Sequence, residues 1–125
     1  MLLHLRELEG MSAQSQKKKV LIIDDDEDIL NWFRMIEKKE TPYNFYFLQN
    51  ELEILKVLEE LRPDLIFFDR GDRSVSNLLG SIDIPIVYMS TKEVSQIDST
   101  HHSFMRKPLQ RKAVDAKIRS LFKIY

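Results

Sequence analysis

The sequence predicts an open α/β domain, a parallel five-stranded sheet with helices packed on both faces. Three observations predict it. Short apolar runs recur along the chain and end in polar residues: Val20-Leu21-Ile22-Ile23 into Asp24-Asp25-Asp26, Leu65-Ile66-Phe67-Phe68 into Asp69, Ile84-Pro85-Ile86-Val87-Tyr88-Met89 into Ser90, and Phe104-Met105-Arg106 into Lys107-Pro108. An uninterrupted apolar run bounded by polar residues is the pattern of a strand buried on both faces. Second, segments with apolar residues at helical spacing separate the early runs, and strands alternating with helices give right-handed crossovers and a parallel sheet. Third, the polar residues stand at the C-terminal ends of the runs. In a parallel sheet those ends share one edge, where open α/β sheets keep their ligand sites.

The elements follow in order. Residues 1–17 differ from the rest and read as a loosely ordered leader, with residues 18–125 forming the domain. Leu2, Leu3, Leu5 and Leu8 leave open a short docking helix, and Met11 permits a shorter natural start. The first strand spans 20–24. A helix over 27–39 places Ile29, Leu30, Phe33 and Ile36 on one face, with Trp32 as a packing residue and Asp26 or Asp28 as its cap. Thr41-Pro42 breaks it. Phe45-Tyr46-Phe47-Leu48 forms the second strand. A second helix turns Leu52, Ile54, Leu55, Leu58 and Leu61 inward and stops before Pro63. Strands follow at 64–69, 84–89 and 103–107, and a closing helix beyond Pro108 buries Val114, Ile118, Leu121 and Phe122. Two connections are short, fourteen residues at 70–83 and twelve at 91–102. A crossover takes at least about 10–12 residues with its helix, so the third and fourth helices are expected to be short or missing.

Composition narrows the function. The 125 residues carry a net charge of −1, so no bulk electrostatic pull toward nucleic acid or an anionic membrane is expected. The absence of cysteine removes thiolate chemistry and Cys-ligated zinc. Nothing approaches the ~20 apolar residues of a membrane span, and the N-terminus lacks a signal-peptide run, so the cytoplasm is the expected location.

The strand-end residues suit metal and phosphate chemistry. Mg²⁺ takes oxygen ligands, one or two of them carboxylates, which Asp25 and Asp69 can supply while Asp24 holds a metal-bound water. A carboxylate is also a phosphoryl acceptor, and Asp69 is the best nucleophile because the apolar 65–68 run before it should make it central and partly buried. Ser90 can donate to a phosphoryl oxygen and Lys107 can pair with another.

With these residues in this order, the sequence resembles the receiver domain of two-component response regulators. The carriers are KKVLIIDDDEDIL, PDLIFFD, IPIVYMS and FMRKPL, within about residues 18–125. The resemblance implies a flavodoxin-like doubly wound sheet of order 2-1-3-4-5. It implies Asp69 as phosphoacceptor, Ser90 as switch hydroxyl, Lys107 as the phosphate-pairing lysine and Phe104 as switch aromatic. Asp24, Asp25, Asp69 and the Gly71 carbonyl would hold Mg²⁺, and Lys107–Pro108 would be cis. The implied partners are a histidine kinase or phosphotransfer protein and a downstream protein target, with a homodimer possible.

Departures from the family pattern lie at Arg70-Gly71-Asp72-Arg73, where a Met-Pro-rich turn is usual, and at Thr91, where a very small residue is usual. Two readings follow. One is a stand-alone receiver, the chain ending at Tyr125 after the closing helix, that is phosphorylated on Asp69 and signals by protein–protein contact. It would not be an enzyme beyond Mg²⁺-dependent self-phosphorylation and self-dephosphorylation. The other is a receiver-like interaction or dimerisation module that is never phosphorylated. An aspartate-nucleophile phosphatase would need a general acid two residues after Asp69, where Gly71 stands.

Overall fold

The computed structural model describes residues 17–69, 82–91 and 102–124. Its five strands are β1 (Lys18–Ile23), β2 (Tyr43–Leu48), β3 (Leu65–Asp69), β4 (Ile86–Ser90) and β5 (His102–Arg106). All pair in parallel, in the order β2-β1-β3-β4-β5. The described helices are α1 (Glu27–Ile36), α2 (Ile54–Leu61) and α3 (Arg111–Phe122). The regions expected to hold the third and fourth helices, Gly71 and the N-terminal leader lie outside the described residues.

Strand residues alternate between the two faces of the sheet, so each buried strand contributes to two cores. On one face Leu21, Ile23, Ile66 and Phe68 pack against Ile54, Val57 and Leu61 of α2. On the other, Val20, Ile22, Leu65 and Phe67 pack against Leu30 and Phe33 of α1 and Val114 and Ile118 of α3. These side chains are buried, and each contributes about 1.5–3 kcal/mol relative to exposure. Phe33 sits edge-on to Phe45 and Phe67, with centroids 5.3 and 5.5 Å away. Trp32 packs on the rim of the same core, as expected.

The turns that end the helices follow local chemistry. Asp26 caps α1, its side chain accepting from the Asp28 N–H. α2 ends at Arg62 in the left-handed region (φ 53°), its N–H donating to Leu58 O, and Pro63 prevents continuation. Lys123 ends α3 in the same way at φ 55°.

Several expected boundaries shift. β1 begins at Lys18 and β2 at Tyr43, because Lys18 and Lys19 pair with Tyr43 and Asn44 while keeping their charged heads outside the core. α1 stops at Ile36, three residues early; Glu37 turns extended (ψ 134°) and its carboxylate takes up another task. β3, β4 and β5 each move by one or two residues. Leu52 and Leu55 do not face inward. They are 93% and 65% exposed, because Leu52 belongs to a 3-10 turn (Glu51–Glu53) and the buried stripe of α2 runs Ile54, Val57, Leu61.

The task of Glu37 is the open edge of the sheet. Its carboxylate accepts the Phe45 N–H at 2.6 Å, occupying a donor of edge strand β2 that β1 does not use. Unpaired edge donors invite strand addition from another chain. Glu37→Ala is therefore expected to lower stability by about 1 kcal/mol in urea unfolding. It is also expected to promote self-association visible by size-exclusion chromatography, and a variant that stays monomeric at wild-type stability would refute this role.

Candidate functional site

Register brings the strand-end residues together. Ile23 pairs with Phe68, so Asp24 and Asp69, the next residues along, stand side by side on neighbouring strands about 4.8 Å apart. Asp69 pairs with Met89 and Ser90 with Arg106, which places Ser90 and Lys107 on the same edge. The Lys107 N–H donates to Ser90 O at 2.7 Å, and the Lys107–Pro108 peptide is cis.

The centre of the site is an ammonium between two carboxylates. Lys107 Nζ lies 2.9 Å from Asp24 Oδ2 and 2.9 Å from Asp69 Oδ1. Asp24 is fully enclosed, its side chain 0% exposed, whereas that of Asp69 is 29% exposed and that of Lys107 11%. Asp24 Oδ1 accepts the Asp26 N–H at 2.9 Å, so both its oxygens are engaged by the protein. Asp25 is exposed, and its backbone carbonyl is held by Gln49 Nε2 at 3.0 Å. One carboxylate oxygen each from Asp24, Asp25 and Asp69 lie within 4.8 Å of one another.

Burial and charge set the protonation of this group. Burial pushes the Asp24 carboxyl above the ordinary carboxylate range and the nearby Asp69 charge adds to the push, while the Asp26 N–H and Lys107 only partly offset it. Burial alone would lower Lys107. Its hydrogen bonds to Asp69 and Asp24, with their charges, outweigh that and hold it above the usual lysine value. Two carboxyl groups thus share one ammonium, with the Asp25 carboxyl close beside them.

The donor set fits a hard divalent cation: it is all oxygen and anionic beyond what Lys107 neutralises. Both oxygens of Asp24 already accept protein hydrogen bonds, so a bound cation would draw its direct carboxylate ligands from Asp25 and Asp69.

Of the other expected residues, Phe104 pairs with Tyr88 across β4–β5 and packs, partly buried, against the α2-side core rather than at the carboxylates. Ser90 is half-buried at the end of β4, and Thr91 beside it is exposed. The supporting contacts from Asp26 and Gln49 were not singled out from sequence. The Asp26 contact had a signal, since the side chain of an Asp such as Asp24 accepts the backbone N–H two residues on in an Asx-turn. Gln49 had none beyond following the second strand.

No family model matches the chain. Its fold is similar to solved structures of a two-component response regulator from Clostridium difficile (TM-score 0.69, 24% identity, 86% of this chain and 97% of that one). It is also similar to chemotaxis protein CheY4 from Vibrio cholerae (TM-score 0.68, 16% identity, 84% and 98%). A third is the signal receiver domain of an HD domain-containing protein from Pseudomonas fluorescens (TM-score 0.69, 12% identity, 90% and 91%). The chain has the receiver fold.

Proposed function

We propose that this chain, built on the receiver fold, accepts a phosphoryl group on Asp69 and signals through a change in protein–protein contact. The observation that carries the proposal is the Lys107 ammonium bridging Asp24 and Asp69 at 2.9 Å each, beside Asp25. The donor is a phosphohistidine of a histidine kinase or phosphotransfer protein in the cytoplasm. An Asp69 carboxylate oxygen attacks phosphorus, the P–N bond breaks with its electron pair going to nitrogen, and the imidazole, already protonated on its other ring nitrogen, leaves neutral. The product is an acyl phosphate on Asp69.

Asp25 and Asp69, with Asp24 through water and the Gly71 carbonyl, would hold Mg²⁺, which when bound supplies neutralisation of the transferring group's charge. Lys107 stays protonated and passes from the Asp69 carboxylate to a phosphoryl oxygen. The Ser90 hydroxyl donates to another. Phe104 shares the β4–β5 pairing with the strand that carries Ser90, so a shift of Ser90 toward the phosphoryl group is transmitted to the partner-facing side of β5.

Incubation with a small-molecule phosphodonor and millimolar Mg²⁺ should add the mass of one phosphoryl group, and beryllofluoride should change the fluorescence of Trp32, the single tryptophan. Both responses should vanish in Asp69→Asn. A phosphorylated species that persists in that variant would relocate the acceptor. No product in the wild type would leave the phosphorylation-independent interaction module, a reading the β-branched Thr91 beside Ser90 favours by narrowing access.

A further inference from the structure

A cleft of about 480 Å³, separate from the acidic cluster in its lining, opens between the turn after α1, the first residue of β2 and the exposed side of α3. Small-molecule sites fall in the range of about 300–1,000 Å³. Its lining is unbalanced: Lys38, Arg111, Lys112 and Arg119 stand against Glu40 and Asp115.

Asp115 and Arg119 are already committed to each other, which leaves three cations facing Glu40. One oxygen of Asp115 accepts the Tyr43 hydroxyl and the other accepts Arg119 Nε at 3.0 Å. Among the described residues, no hydrogen bond or ion pair occupies the side chains of Lys38, Arg111 or Lys112. Arg111, Asp115 and Arg119 recur every four residues and so form one stripe along α3.

The placement of Arg111 and Lys112 is unfavourable for the fold itself. They occupy the first turn of α3, where the helix dipole disfavours cations. That turn holds no acidic residue, and Gln110 makes no capping side-chain bond. An anion in the cleft would supply the missing compensation. Beneath the cations, Ile36 and the buried Tyr43, its hydroxyl fixed by Asp115, form an apolar wall.

We propose that this cleft binds a small phosphate-bearing anion of mononucleotide size, with its phosphates on Lys38, Arg111 and Lys112 and its uncharged body against Ile36 and Tyr43. The lining shares no residue with the Asp24–Asp25–Asp69–Lys107 cluster, so the proposal is independent of phosphoryl transfer there. A ligand seated in it would tie α3 to the α1–β2 turn.

Isothermal titration in chelator-containing, Mg²⁺-free buffer tests this with ADP, pyrophosphate and adenosine as probes. ADP should bind saturably with a dissociation constant below about 1 mM, and adenosine should bind at least tenfold more weakly, about 1.4 kcal/mol. Arg111→Glu with Lys112→Glu should weaken ADP at least about tenfold. These substitutions favour the helix dipole, so unfolding does not explain the loss, and circular dichroism confirms the fold. Asp69→Asn should leave ADP affinity unchanged. Pyrophosphate binding as tightly as ADP would keep the anion site and overturn the part assigned to Ile36 and Tyr43. No saturable binding of either anion below about 5 mM, or unchanged affinity in the double variant, would overturn the site.

Discussion

Replacing Lys107 by methionine is expected to lower the unfolding free energy by about 3 kcal/mol at pH 7 in metal-free buffer, because removing one partner of a buried pair leaves a charge uncompensated. The two carboxylates do not share this cost equally. Asp69 is 29% exposed and can rehydrate, whereas the Asp24 side chain is wholly enclosed and keeps only the Asp26 N–H. Methionine preserves the apolar stem of Lys107, so the loss reports charge rather than packing. The variant should also show a specific pH dependence. Burial already holds Asp24 above its ordinary value of 3.8, and Lys107 is one of the groups restraining that rise, so the carboxyl moves higher without it. A group whose pKa is raised in the folded state favours folding fully below its unfolded pKa and loses that contribution as pH rises through the folded one. The deficit relative to wild type should therefore be larger at pH 7 than at pH 4 and shrink as pH falls. In the wild type, the raised Lys107 contributes below its ordinary pKa of 10.5 and its contribution is lost as pH rises through the higher folded value. Urea unfolding of both proteins at several pH values in the presence of chelator measures this. A deficit independent of pH would mean that Asp24 is not the group left uncompensated.

Much of this site was legible because it depends on backbone register. Apolar runs such as Leu65–Phe68 have no face to expose, which identifies central strands, and parallel pairing then forces their C-terminal residues onto one edge. Asp24, Asp69, Ser90 and Lys107 follow from that rule. Features that depend on side-chain reach were not legible. The polar starts of β1 and β2 extend pairing beyond the apolar runs, since Lys18 and Lys19 join the ladder through their backbone. Leu52 matched a helical spacing but fell in the turn before α2, where local geometry points it outward. The Tyr43–Asp115 bond joins residues 72 apart, and the Glu37–Phe45 bond needs α1 to end early. Neither leaves a periodic trace. The cations at the start of α3 were not singled out from sequence; only the cleft beside them gives them a use.

Mg²⁺ and Lys107 are expected to compete for the same carboxylates, so metal affinity should rise when the lysine is removed. In the wild type the ammonium neutralises part of the charge of Asp24 and Asp69, and Asp25 adds a third carboxylate within 4.8 Å. Two unit charges 4 Å apart interact by about 4 kcal/mol at an effective dielectric of 20, so losing even a third of such a repulsion tightens binding about tenfold. Wild-type protein at ten times its dissociation constant for Mg²⁺ should gain about 1.4 kcal/mol, roughly 5 °C in Tm for a domain of this size. At the same Mg²⁺ concentration Lys107→Met should gain about twice as much, recovering much of its deficit, since a further tenfold in affinity adds about another 1.4 kcal/mol. Asp25→Asn should act in the opposite sense. It relieves like-charge repulsion and stabilises the metal-free protein by about 1 kcal/mol, yet weakens Mg²⁺ by tenfold or more because a direct ligand is gone. Thermal unfolding across a Mg²⁺ titration separates these outcomes without any phosphodonor. Equal Mg²⁺ affinity in wild type and Lys107→Met would show that metal and ammonium do not share ligands. The bridging lysine would then be a structural tie and not a stand-in for the positive charge that phosphoryl transfer needs.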